Sequence, residues 1–115
     1  MNIQIFGTKK CQNTRKAERY FKERKIPYQF IDLTVKELSK GELNSIKRFI
    51  SLNDLISTES KEYQVSNLKY MVHNIEDMLL KNPLLLRTPI VRNTPKAATI
   101  GYCPEVWKQW QTASL

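Results

Sequence analysis

Hydrophobic and polar residues alternate with a period that changes several times along the chain, and each change marks a new element. Ile3, Ile5 and Phe6 form a short apolar run that Gly7 and Thr8 break, which suits a first strand. From Asn13 to Lys25 the apolar residues Ala17, Tyr20 and Phe21 recur at helical spacing, and Pro27 stands just beyond the end. Tyr28 to Leu33 is rich in aromatic and β-branched residues and predicts a second strand. Strand, helix and strand within about thirty residues make a βαβ unit, whose strands should be parallel with a right-handed crossover.

The pattern then turns helical. Thr34 or Ser39 can cap helices, and a stripe begun by Leu43, Ile46, Lys47 and Ile50 continues through Leu52, Leu55 and Ile56 before Ser57 to Ser60 interrupts it. A further helix is expected over Ile75 to Lys81, closed by Asn82-Pro83. Leu84 to Leu86 leads into a strand, Thr88 to Arg92, with Pro89 at its start. Asn93 to Lys96 reads as a turn, Ala97 to Ile100 as its hairpin partner, and Pro104 as the opening of a last helix carrying Val106, Trp107 and Trp110. The predicted fold class is α/β: a mixed sheet of about four strands, βαβ then ββα, with a helical insertion over 35–85 inside a single domain, 1–115.

Composition narrows the functional classes. At 115 residues, 41% hydrophobic and 26% charged, the chain can bury one core. It has no apolar run of membrane-spanning length and its N-terminus lacks the apolar stretch of a secretion signal, so a cytoplasmic protein with no membrane association is expected. The two cysteines, Cys11 and Cys103, are far apart in sequence and are expected as free thiols in a reducing compartment. With His73 the sole histidine and no CxxC or CxH cluster, no metal site is expected.

Charge is concentrated at one place. Of the net +8, the segment Lys9 to Lys25 carries +6, with eight basic residues against Glu18 and Glu23. Such a field would lower a thiol pKa, attract an anionic co-substrate or attract an acidic protein surface, or it is simply a solvated helix face with an i,i+4 pair, Glu18 and Lys22. Aromatic residues do not alternate with the basic ones and no DNA- or RNA-binding motif is present, so direct nucleic-acid binding is not expected.

Cys11 stands where the first strand feeds this basic helix. A thiol there lies among unpaired backbone N–H groups, and the helix dipole stabilises its thiolate. The alternative is a buried structural cysteine, but the flanks Thr8, Lys9, Lys10, Gln12, Asn13, Thr14 and Arg15 are too polar to line an apolar core. Lys9, Lys10 and Arg15 supply positive charge around a single nucleophile. Cys103 precedes the last helix as Cys11 precedes the first; it reads either as a resolving thiol or, more in keeping with cysteine burial in general, as an incidental half-buried residue.

The order of elements and several segments resemble the arsenate reductase (ArsC)/Spx family of thioredoxin-like proteins. The segments are KKCQNTRKA, whose Cys11, Thr14 and Arg15 match a Cys-x-x-[Ser/Thr]-Arg pattern; FIDL; LISTESKEYQ; and NPLLLRTPIV followed by a hairpin and Gly101-Tyr102. The resemblance implies a thiol-dependent reductase with Cys11 as nucleophile and Asn13, Thr14 and Arg15 as the anion-binding loop and helix start. It also implies a supporting proline, Pro89, usually cis, though an ordinary strand-opening proline is the other reading. It further implies glutathione as co-substrate or glutaredoxin as partner, no bound cofactor and a monomer. Lys10 and Arg87 are candidate supporting residues.

The sequence also departs from that family. Arginines that surround the oxyanion in arsenate reductases fall on Thr88, at about Ser57 and at about Thr99, which weighs against efficient arsenate reduction. Arg87 or Arg92 could substitute, although a one-residue shift on a strand would turn Arg87 to the opposite face. The Spx branch implies a different role, regulation through the C-terminal domain of the RNA polymerase α subunit, governed by a CxxC redox switch. Here the second cysteine of that switch is Thr14, and the polymerase-contacting glycine falls at about Ser51.

Overall fold

The computed structural model describes residues 1–57 and 75–113. Most of LISTESKEYQ and the sole histidine lie outside the described residues. Strand β1 (Ile3–Gly7), helix α1 (Gln12–Glu23) and strand β2 (Tyr28–Asp32) form the expected βαβ unit, with β1 and β2 parallel. Helices α2 (Lys40–Lys47), α3 (Leu52–Leu55) and α4 (Ile75–Lys81) and a 3-10 turn (Pro83–Leu85) follow. Strands β3 (Ile90–Asn93) and β4 (Ala97–Ile100) make the antiparallel hairpin, and helix α5 (Pro104–Ala113) follows it. The sheet order is β2-β1-β3-β4, with β1 antiparallel to β3. The fold is therefore the mixed four-stranded α/β arrangement expected from the sequence.

Strand pleating divides the core in two. Ile3 and Ile5 of β1 and Val91 of β3 pack with Ala17, Tyr20 and Phe21 of α1 and Trp107 of α5 on one face of the sheet. Phe6 and Ile90, one residue out of phase, join Leu43, Ile46, Leu55, Leu79, Leu85 and Leu86 from the helical segment on the other. Fully burying each such side chain contributes about 1.5–3 kcal/mol, so the two clusters hold helices against both faces of the sheet. Trp107 gains a hydrogen bond as well: its Nε1 donates to Thr99 Oγ1 at 2.9 Å.

Several boundaries differ from those expected. The stripe from Leu43 to Ile56 is two helices, because Ser51 takes an extended conformation and its Oγ accepts from Asp54 N at 3.3 Å, starting α3 afresh. Ser39 caps α2 through a complete capping box with Glu42, whereas Thr34 caps nothing: its N–H and hydroxyl both donate to Asp32 Oδ1, at 3.0 and 2.6 Å. The third strand starts at Ile90 rather than Thr88. Helix α1 stops two residues short of Lys25, which itself adopts φ 58° and turns the chain towards β2.

Candidate functional site around Cys11

The site is built at the junction of β1, α1 and the segment entering β3. Cys11 is the N-cap residue of α1, with φ −75° and ψ 118°, and its side chain makes no capping hydrogen bond. Its carbonyl accepts the first helical bond, from Arg15 N at 3.1 Å, and its own N–H closes a turn on Thr8 O at 3.1 Å. The sulfur is thus left beside the first-turn N–H groups, which have no intrahelical partner.

Two threonines complete the surroundings of the sulfur. Thr88 Oγ1 donates to Cys11 Sγ at 3.2 Å, and the Cys11 thiol approaches Thr88 O at 3.7 Å. Thr14, on α1, is wholly buried, and its hydroxyl finds no hydrogen-bond partner of acceptable geometry. Burial pushes the Cys11 thiol up. That effect is outweighed by the Thr14 and Thr88 hydroxyls and by the N–H groups of Thr14 and Asn13, which together hold the thiol below its ordinary value. The absence of a Thr14 bond in the thiol form and its effect on the titration are compatible, since the thiolate is the acceptor that hydroxyl lacks.

Gly7 makes the Thr14 position possible. A Cβ on Gly7 would collide with Thr14 Oγ1 and lie 2.6 Å from its Cγ2, so α1 can seat Thr14 against β1 only because position 7 has no side chain. The Thr88–Pro89 peptide bond is cis and Pro89 O accepts from Gly101 N at 2.8 Å, tying the segment before β3 to the end of the hairpin.

Two open hollows flank the Cys11–Thr88 contact and share Leu84, Leu86 and Thr88. The first, ≈ 510 Å³, adds Thr8, Lys9, Lys10, Asp32, Thr34 and Pro83. There the Thr34 hydroxyl and N–H hold the Asp32 carboxyl below its usual range, with Lys9 adding to the effect. The second, ≈ 520 Å³, adds Asn13, Ser57, Arg87, Ile100 and Gly101. Arg87 precedes β3, so the strand-alternation argument does not govern it; it lies on the same hollow as Asn13 and Thr88, with Nε donating to Ile56 O at 3.3 Å. Arg92 is engaged elsewhere, donating to Gln4 Oε1 at 2.9 Å and to Ser45 Oγ at 2.8 Å.

Of the sequence candidates, Cys11, Asn13, Thr14, Lys10, Arg87 and Pro89 therefore gather around one site, and Arg15 is exposed on the first turn of α1. Cys103 lines neither hollow, although its own adjoins the second through Arg87 and Ile100. Its Sγ donates to Ile100 O at 3.2 Å, it lines a hollow with Phe49, Ser51 and Thr99, and burial pushes its thiol up, partly offset by Thr99. The hydroxyl of Thr88 and the bare backbone of Gly7 were not foreseen. A threonine directly before a strand-opening proline was the one signal for the former. Among the described residues no cluster of side chains could hold a metal ion, and no helix is long and apolar enough to cross a membrane.

A mixed four-stranded sheet, with a cysteine capping the helix after its first strand and a proline-led segment against that cysteine, defines a thioredoxin-like domain. A model of the ArsC family matches residues 6–110, and the chain belongs to that family. Among its relatives is the global transcriptional regulator Spx of Streptococcus pyogenes serotype M1, 30% identical over 105 residues that cover 87% of this chain and 78% of the relative. The Spx of Listeria monocytogenes serovar 1/2a is likewise 30% identical, over 87% of this chain and 79% of its own. The fold is shared with an arsenate reductase from Vibrio cholerae, at TM-score 0.78 and 22% identity, covering 95% of this chain and 97% of that one.

Proposed function

We propose that the protein is a thiol-dependent reductase in which Cys11 is the single nucleophile and glutathione or glutaredoxin the source of electrons. The observation that carries this reading is the sulfur at the start of α1, accepting from Thr88 Oγ1 at 3.2 Å beside an unpartnered Thr14 hydroxyl. In this reading the Cys11 thiolate attacks the glutathione sulfur of a glutathione mixed disulfide, forms a Cys11–glutathione S–S bond as the original S–S bond breaks, and expels the other partner as thiolate. A second glutathione thiolate then attacks the glutathione sulfur of the Cys11 disulfide, giving glutathione disulfide and the Cys11 thiolate again. Asn13 and Arg15 hold the anionic end of the substrate, Lys10 adds charge in the neighbouring hollow, and Pro89 fixes the segment that presents Thr88. Arsenate is disfavoured as substrate, because Thr88, Ser57 and Thr99 stand where the resemblance would place arginines and Arg87 alone lines the hollow beside Asn13.

A second reading is favoured by the identity to the Spx regulators: a regulatory protein that binds the RNA polymerase α subunit without a CxxC switch, since position 14 is threonine. Glutathione-dependent reduction of a mixed disulfide and of arsenate, measured on wild type and Cys11→Ser, separates the two. The reductase reading expects disulfide turnover abolished by Cys11→Ser and little or no arsenate turnover. No turnover, together with co-purification of RNA polymerase that survives Cys11→Ser, supports the regulator instead.

A further inference from the structure

We propose that the exposed face of α1 is a docking surface for an acidic protein. Arg15, Lys16, Arg19 and Lys22 are all exposed and, at 3.6 residues per turn, share one side of the helix. Among the described residues none of the four forms an ion pair. Two acids lie among them: Glu18, which accepts from Tyr28 Oη at 3.2 Å, and the exposed Glu23, so the four cations leave the face net positive by two.

Helix stability accounts for Lys22, in the last turn of α1, but not for Arg15 and Lys16. The first turn of α1 contains no acidic residue, and cations at that end oppose the macrodipole. Arg15 has a proposed use at the Cys11 site, but Lys16 and Arg19 line neither of the hollows beside it. The surface also has relief and aromatic content. Arg19 lines both of two shallow hollows, one of ≈ 500 Å³ ending at Tyr28 and one of ≈ 300 Å³ ending at Tyr102. Tyr102 is 45% exposed and carries the Lys16 ammonium 5.8 Å from its ring centroid. Arginine and tyrosine around shallow hollows are residue types enriched in protein interfaces, and they stand here beside the i,i+4 pair Glu18 and Lys22 and beside Glu23, which lines both hollows.

Charge complementarity selects the occupant as a protein surface or segment rich in aspartate and glutamate. Without aromatics spaced to stack successive bases, a nucleic acid fits less well. The proposal does not rest on the thiol chemistry: Lys16, Arg19 and Lys22 have no part in it, and Arg15 alone is shared with the Cys11 site.

The test is fluorescence anisotropy of a labelled peptide of alternating Asp and Glu titrated with the full chain. Arg19→Glu/Lys22→Glu should weaken binding about tenfold or more, while Lys36→Glu/Lys40→Glu, exposed and of equal charge change, should weaken it less than about threefold. The milder Arg19→Gln/Lys22→Gln should lose affinity in the same direction, which keeps the test valid if the charge-reversed pair fails to fold. Cys11→Ser should bind as wild type does. Equal losses in both charge-reversed pairs, no binding by wild type, or tighter binding of duplex DNA than of the peptide at equal charge would each overturn the proposal.

Discussion

Thr14→Val separates stability from reactivity at the Cys11 site. Valine keeps the shape that fits against Gly7 and removes only the hydroxyl, which is wholly buried and unpartnered while Cys11 is a thiol. An unsatisfied buried hydroxyl costs about 1–3 kcal/mol, so the substitution should stabilise the fold at pH 6 by about 1 kcal/mol. For a domain of 115 residues that raises Tm by about 4 °C. The same hydroxyl helps to hold the Cys11 thiol below its ordinary value, so its loss moves that thiol up. A loss of about 1 kcal/mol of thiolate preference corresponds to alkylation about fivefold slower at pH 7.

The sign with pH follows from linkage. A group whose pKa is depressed by folding contributes stability above its unfolded pKa and loses it as pH falls through the folded value. Wild type therefore draws this contribution from Cys11 at alkaline pH, and the advantage of Thr14→Val should shrink between pH 6 and pH above about 8.5, the free-cysteine value. Urea unfolding at both pH values and iodoacetamide kinetics on Cys103→Ser backgrounds measure the two effects. A variant less stable than wild type at pH 6, or one that alkylates faster, would rule out a Thr14 hydroxyl that is unpartnered beside the thiol and serves the thiolate.

Gly7→Ala forces Thr14 off β1 and should cost about 1–3 kcal/mol in urea unfolding, with the Cys11 thiol moving up as in Thr14→Val. Ser39→Ala removes the side-chain half of the α2 capping box and should lower stability by about 1 kcal/mol with Cys11 reactivity unchanged; an altered thiol rate would show that α2 couples to the site. Cys103, pushed up by burial, should be alkylated after Cys11 at neutral pH, and mass mapping that found the reverse order would contradict the assignment of roles.

The elements were legible wherever one period ran undisturbed between clear stops. Ala17, Tyr20 and Phe21 mark α1, and the turn at Asn93 to Lys96 places β3 against β4. Sequence reading failed where a local polar bond competed with an apolar stripe: Leu43 to Ile56 kept helical spacing in composition, yet Ser51 recaps the chain midway. It failed again for Arg87, because the face argument presumed a strand that begins three residues later, at Ile90. The position of Cys11 could be inferred from a strand followed by a polar helix start. The roles of Thr88 and Gly7 could not, since one acts across 77 residues of chain and the other by the absence of a side chain that only the packed α1 makes necessary.

If Cys11 is a thiolate nucleophile set apart by its surroundings, its alkylation must titrate below the range of a free cysteine. The most direct measurement is the rate of iodoacetamide alkylation at Cys11 as a function of pH, followed by mass spectrometry of the Cys11 peptide. The midpoint expected is below about 8.5, the value of a free cysteine, and rises towards it in Thr88→Val. A midpoint at or above that value in the wild type would contradict it.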